Sequence, residues 1–440
     1  MNSGASVATA NGPATMVGDT ATTAVATPTM PTHAEASPGL MAGLEARLGA
    51  RRLDVALSLG FVVLALFLYF WRIEEPWNGN RGYIYDEVYH AFTAAQYVNG
   101  NTDAWVWWTS SPVEGTAYEW THPPLGKEII AVGIWMFGDN RFGWRFTSAI
   151  VGAIGIGMIY WLGLVLTRRR VAAILAAILT LADGLYFVES RSSLLDIYGA
   201  VFMVGGFIGF YAYLAAPANK VRWPLLGMGL GLGLAIATKW NAVYASAIIG
   251  LVIVLRGMYV LARMITARRQ IPAWPFPVAG LVALLVANYF ARSYGTDLRV
   301  GSTGLIVLLF GAFTFLVWQG NQQDASEEEQ LLNRQGFIEH LIWVPLGMAV
   351  LPAAIYMLSY APFFGAGFNL GQFKELQYQM WYYHSHLKAT PVPVNLVAVA
   401  ADAAPGLVWR AILRRWYRRQ HLRQRQPRST GPSSARSPTR

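Results

Sequence analysis

The chain has 440 residues, 54% of them hydrophobic and only 13% charged, about half the charged share of a soluble domain. With Gly 43, Trp 17, Tyr 21 and Phe 21, it reads as helices packed in lipid rather than as two or three soluble domains. Cys is 0, which excludes disulfide scaffolds, zinc–thiolate sites and cysteine nucleophiles; and the net charge of +10 comes mostly from ten arginines between Arg410 and Arg440, opposed after residue 390 only by Asp402, so the body has no evenly basic surface for nucleic acid.

In chain order, residues 1–45 are rich in Ala, Thr, Pro, Gly and Ser and show no hydrophobic period. They read as a disordered cytoplasmic segment, and not as a secretory signal, since a basic start and a compact apolar core are missing. Residues 46–390 read as one membrane body. A helix of about 20 apolar residues crosses hydrocarbon, and candidates stand at about 53–71, 144–166, 171–188, 194–215, 224–239, 241–260, 274–291, 303–319 and 340–359. The expected fold is therefore an all-α, multi-span integral membrane protein with nine or more transmembrane helices.

Basic loops set orientation. Arg51 and Arg52 precede the first span and place the N-terminus in the cytoplasm; Arg168–Arg170, Lys220 with Arg222, and Arg256 through Arg269 mark further cytoplasmic turns. Residues 72–143, the 189–195 turn, Lys239–Trp240 and 361–390 then share the outer side. The apolar piece 128–137 is too short to cross and is expected to lie along that outer interface. A site built from polar, aromatic-rich pieces at one water–lipid boundary is the reading that follows.

The chemistry-bearing residues fall in those pieces. Tyr83-Ile84-Tyr85-Asp86-Glu87-Val88-Tyr89-His90 opens an interfacial helix. Two acids at a helix start complement the macrodipole, and Asp86 suits an N-cap; the functional reading is a general base for a hydroxyl. Asp86 and His90 share a face at i, i+4, but two ligands without a third make a weak metal site. In Thr121-His122-Pro123-Pro124-Leu125-Gly126-Lys127 the prolines force an extended entry. Lys127 either snorkels as an anchor or meets a phosphate headgroup with His122 beside it.

The Glu189–Asp196 turn suits an internal ion pair, or a phosphate held by the forked donors of Arg191. Lys239, in Thr238-Lys239-Trp240-Asn241, is either an anchor or an ionisable group with a function at membrane depth. His384 and His386, in Trp381-Tyr382-Tyr383-His384-Ser385-His386-Leu387-Lys388, diverge on a helix, so acceptor or headgroup binding is favoured over metal. Glu327-Glu328-Glu329 reads as a solvated face. No Walker A loop, Rossmann fingerprint or HExxH is present, which removes nucleotide-driven and dinucleotide chemistry as first choices.

Taken in this order, Tyr85-Asp86-Glu87, His122-Pro123-Pro124-Leu125-Gly126-Lys127, Arg191 with Leu194-Leu195-Asp196, Thr238-Lys239-Trp240 and His384-x-His386-Leu387-Lys388 resemble the bacterial protein O-mannosyltransferases over about residues 50 to 390. The resemblance implies a GT-C glycosyltransferase fold with around eleven spans in the plasma membrane. It also implies transfer of mannose from polyprenyl-phosphate-mannose to Ser/Thr hydroxyls of secreted or membrane proteins, with inversion and without a cofactor. By position, Asp86 would be the catalytic base and Glu87 would place acceptor or sugar. Arg191 and Lys239 would meet the lipid phosphate, followed by His122 and Lys127; Asp196, His384, His386 and Lys388 complete the expected substrate-binding set.

Residues 391–440 depart from that family: Pro391-Val392-Pro393-Val394, a weak apolar run and an Arg, Gln, Ser and Pro tail read as a frameshifted or divergent end. Two alternatives remain. One is another GT-C enzyme acting on a glycan or lipid acceptor; the other is a transporter or flippase, for which ionisable groups near the bilayer midplane are expected rather than groups gathered at one surface.

Overall fold

The computed structural model describes residues 45, 49–75, 82–267, 270–290, 296–323 and 326–387. The chain divides into two units, Met1–Leu53 and Asp54–Arg440. In the first, the Glu45 carbonyl accepts from the Gly49 amide (2.8 Å) and the Gly49 carbonyl from the Leu53 amide (3.1 Å). The disorder expected of residues 1–44, Lys388 and the divergent segment 391–440 lie outside the described residues.

All described secondary structure is helical. The helices are α1 (Ala50–Phe70), α2 (Glu87–Val98), α3 (Leu125–Phe137), α4 (Arg141–Thr167), α5 (Arg170–Ala182), α6 (Gly184–Glu189), α7 (Leu195–Ala215), α8 (Arg222–Thr238), α9 (Ala242–Thr266), α10 (Pro275–Phe290), α11 (Thr296–Asn321), α12 (Glu327–Pro345), α13 (Leu351–Ser359), α14 (Ala361–Gly365) and α15 (Leu370–His386). A π turn, Leu346–Val350, joins α12 to α13.

Among the described residues six helices are long and apolar enough to cross a membrane: α1, α4, α7, α9, the Val300–Asn321 part of α11, and the continuous Glu327–Ser359 rod of α12 and α13. The nine or more spans expected from sequence are not reached among the described residues. The reason is local. Asp183 accepts from the Tyr186 amide (2.7 Å) and caps a new helix, so the apolar run 171–188 breaks into 13- and 6-residue pieces. Likewise α8 has 17 residues and α10 has 16, short of the length that hydrocarbon demands.

Glycines decide how closely α7 and α8 approach. A Cβ on Gly206 would meet Leu232, one on Gly209 would meet the Met228 backbone, and one on Gly231 would overlap Gly205 and Gly206. Backbones that close leave no room for a side chain, the small-residue logic of helix contacts in membranes. The π turn seats itself in the same way, since Gly347 lies against the Leu225 carbonyl and Gly229 against Gly347.

Two ends of the bundle carry different chemistry. At one end Asp54 accepts from Tyr160 (2.7 Å) and Arg170 (2.6 Å), while Arg256 donates to the Tyr213 and Ala216 carbonyls that finish α7. Arg263 pairs there with Glu329. At the other end α2 and α3 pack with the first turns of α4 and α7. Phe92, Ala95, Ile130, Ile134, Trp144, Leu195, Tyr198 and Val201 form one buried cluster beneath them. Facing water or lipid, Val132, Trp135, Met136 and Phe137 leave α3 exposed along an apolar flank, as an interfacial helix requires.

Candidate active site

The turn before α2 separates two adjacent acids. Tyr85 adopts φ 48°, a left-handed conformation that bulky residues rarely take and that tends to mark functional turns. Asp86 follows as the helix N-cap, exposed and with no side-chain capping hydrogen bond, whereas Glu87 is 0% exposed. Burial raises the Asp86 carboxyl, Asp196 and Glu119 push it the same way, and Lys239 and His122 pull against them. The result is a carboxylate without a fixed partner, more basic than an ordinary aspartate.

Glu87 is fully committed. Its Oε1 accepts from Arg145 Nε (2.8 Å) and the Ser193 amide (3.0 Å), and its Oε2 from Arg145 Nη2 (2.8 Å) and the Ile84 amide (3.0 Å). Arg145, itself 0% exposed, also donates to the Ile73 carbonyl (2.9 Å). This bidentate pair ties α2 to α4 and to the turn before α7. Arg145 escaped the sequence reading; the signal for it was an arginine inside the apolar run 144–166, where an unpaired charge is too costly to persist.

Lys127 is 1% exposed and donates to the Glu119 (2.5 Å) and His122 (2.9 Å) carbonyls. Its ammonium therefore fixes the segment before the two prolines and does not reach an open surface. Burial alone would raise the Glu119 carboxyl, yet Lys127 and His122 together hold it below the ordinary glutamate range. Glu119 Oε1 accepts from Thr121 Oγ1 (2.5 Å), and His122 Nδ1 lies 2.9 Å from that same hydroxyl. The His122 ring meets those of His90 and His384 edge-on, with centroids 6.4 and 5.2 Å away. Burial drives His90 down to about 3, so it is a neutral imidazole. No group of three metal-ligating side chains occurs among the described residues.

Arg191, expected on a phosphate, spends its donors elsewhere: on the Leu68 (3.4 Å), Arg72 (2.6 Å) and Glu75 (3.2 Å) carbonyls. A guanidinium at the C-terminal end of α1 satisfies carbonyls that the helix leaves open and complements its dipole. His384 Nε2 donates to the Thr121 carbonyl (2.9 Å) and so brings α15 onto the HPP segment. His386 turns away to stack on Tyr382 at 4.1 Å. The two histidines diverge, as i, i+2 residues on a helix must.

Lys239 and Asp196 meet at 2.7 Å, with side chains 27% and 48% exposed. They line a groove of about 360 Å³ together with Asp183, Tyr186, Glu189, Asn241, Gly199 and Met203. Asp196, Gly199 and Met203 follow one face of α7 at helical spacing. Asp86 couples electrostatically to both members of the ion pair. Of the expected residues, Lys239 and Asp196 line the groove and the exposed Asp86 couples to both, and to His122, through charge; Glu87, Lys127 and Arg191 are buried.

The chain is similar to known proteins. The chain is 33% identical to the polyprenol-phosphate-mannose–protein mannosyltransferase of Mycobacterium tuberculosis over 207 residues, 42% of this chain and 37% of that protein. It is 32% identical to the enzyme of that name from Corynebacterium glutamicum over 198 residues, 39% of this chain and 38% of that one. A shorter likeness, 32% over 94 residues, links 21% of the chain to 17% of an undecaprenyl phosphate-alpha-4-amino-4-deoxy-L-arabinose arabinosyl transferase of Yersinia pestis. The chain spans less than two-fifths of the length of the curated relatives it matches. Residues 60–294, more than half the chain, match the profile of the dolichyl-phosphate-mannose-protein mannosyltransferases, and the chain belongs to that family.

Proposed function

We propose that this protein transfers mannose from polyprenyl-phosphate-mannose to Ser or Thr hydroxyls of secreted or membrane proteins, with Asp86 as the general base. What supports the reading is the exposed Asp86 carboxyl, coupled through charge to the Lys239–Asp196 pair, which lines a groove that continues along α7 past Ile197, Gly199, Ala200 and Met203. A lipid-linked sugar has that same polarity profile: a polar head and an isoprenoid tail that stays in hydrocarbon.

In this mechanism the acceptor hydroxyl gives its proton to Asp86 as its oxygen attacks the anomeric carbon. The bond to phosphate breaks on the opposite face, which inverts the centre. Lys239 and the first amides of α9, which follow Asn241, meet the negative charge that grows on the phosphate; fixed donors in a site of reduced dielectric are worth more than in water. Glu87, Arg145, Lys127 and Arg191 act as positioning residues, holding the turn, the HPP segment and the end of α1.

Orientation belongs to the same proposal. The protein would sit in the plasma membrane with Arg168–Arg170 and Arg256–Arg263 in the cytoplasm and the site on the extracytoplasmic side. The likeness to a lipid-carrier arabinosyl transferase favours, as a second reading, another lipid-linked sugar in the same groove. The deciding assay compares wild type with Asp86→Asn in membranes supplied with polyprenyl-phosphate-mannose and a Ser/Thr peptide. General-base catalysis contributes about 10²–10⁴-fold, so we expect transfer to fall by at least about a hundredfold. Undiminished transfer by Asp86→Asn removes Asp86 as the base.

A further inference from the structure

The groove along α7 holds one group that the transfer step leaves unused. Glu189, the last residue of α6, lines the groove, and its Oε2 is buried with no hydrogen-bond partner among the described residues. The titratable groups that share the groove with it are Asp183 and Tyr186 on α6, Asp196 on α7 and Lys239 after α8. Asp86, at the head of α2, adds its charge.

Charge makes this arrangement awkward for an anion. Asp183, Glu189 and Asp196 are three carboxyls facing one ammonium, and a phosphodiester would add another negative charge. A carboxylate only accepts hydrogen bonds, whereas a carboxylic acid donates one. A proton on Glu189 therefore removes one repulsion and supplies one donor in the same place. Burial, helped by Asp196 and Asp86 and opposed by Lys239, raises this carboxyl to about 7.

We propose that Glu189 keeps its proton when the lipid-linked donor binds and donates a hydrogen bond to a phosphodiester oxygen, so that the groove takes the donor in its acid form and loses it as Glu189 ionises. No bond is made or broken in this step; the proton stays on Glu189. The inference rests on reading the groove as the donor site, and its test separates the two.

The measurement is direct binding of a short-chain polyprenyl-phosphate-mannose to the purified full chain in detergent, at pH 6 and pH 8. A phosphodiester keeps a single charge throughout that range, so any change in Kd reports the protein. For a group titrating near 7, binding only in its protonated form weakens affinity about tenfold across that interval. We expect that loss in wild type, whereas Glu189→Gln, uncharged and still a donor, binds with the acid-side affinity at both pH values. A wild-type Kd that does not move, or a Glu189→Gln protein that weakens as wild type does, overturns the inference and leaves the donor site standing. No binding at either pH by protein with its normal melting temperature removes the donor reading, and this inference with it.

Discussion

Glu87 and Asp86 leave one turn in opposite directions, and the physics assigns them different failures. Glu87 is the counter-ion of an arginine with 0% exposure, and removing one partner of a buried ion pair costs roughly 3–5 kcal/mol because the other charge is stranded. Glu87→Gln should therefore lower the melting temperature in detergent clearly, whereas Asp86→Asn, which strips charge from an exposed side chain, should leave it in place. Equal melting temperatures for the two variants would overturn the assignment of Glu87 as a positioning residue. Motif and spacing could single out Asp86, Lys239 and Asp196, because polar residues at span ends are visible as interruptions in apolar runs. The same reading could not tell that the cations of Arg191 and Lys127 turn inward. Both look like surface charge until the carbonyls they serve, Leu68 and Arg72 for one, Glu119 and His122 for the other, are brought beside them by the fold.

Helix pairs set where those side chains stand. Lys239 directly follows α8 and Asp196 lies in the first turn of α7, so the close approach of these two helices fixes the distance between ammonium and carboxylate. Gly231 is the narrowest point, where a Cβ would overlap Gly205 and Gly206, whereas a Cβ on Gly227 meets nothing within 4 Å. Overpacking a tight contact costs about 1–3 kcal/mol, and replacing an unpacked helix glycine with alanine gains up to about 1 kcal/mol. Gly231→Ala should lower the melting temperature and, on the proposed function, reduce mannose transfer, and Gly227→Ala should do neither. A Gly231→Ala protein as stable and active as wild type would show that α7 and α8 can part without disturbing the site. Hydrophobic runs announced these helices well, since apolar length is a direct consequence of hydrocarbon solvation. They concealed the break at Asp183, because one capping aspartate hardly alters the hydropathy of a twenty-residue window, and they concealed the glycine seam, whose meaning depends on which helices become neighbours.

At the scale of the whole molecule, the arrangement of ends makes the strongest demand. Following the chain, α9 begins beside the site just after Asn241 and carries in its last turn Arg263, which pairs with Glu329 near the start of α12. The α12–α13 rod then returns to the site end, where Tyr356 meets Trp240 (3.1 Å). The loop bearing Glu114 adjoins the HPP segment, while Gln323 closes α11 next to the start of α12; both residues are exposed. These two positions therefore belong to opposite ends of the bundle, and a bilayer placed across the six apolar helices must separate them. Because Cys is 0, single cysteines introduced at either position carry the only thiol in the protein. On the orientation proposed from the basic turns, with the site outside, a membrane-impermeant maleimide should label Glu114→Cys in intact cells and Gln323→Cys only after the membrane is opened. The reverse pattern would turn the molecule over and put the site in the cytoplasm. Labelling of both from outside would mean that the apolar helices do not span as a bundle, since no single membrane plane then divides the Asp86 end from the Arg263 end.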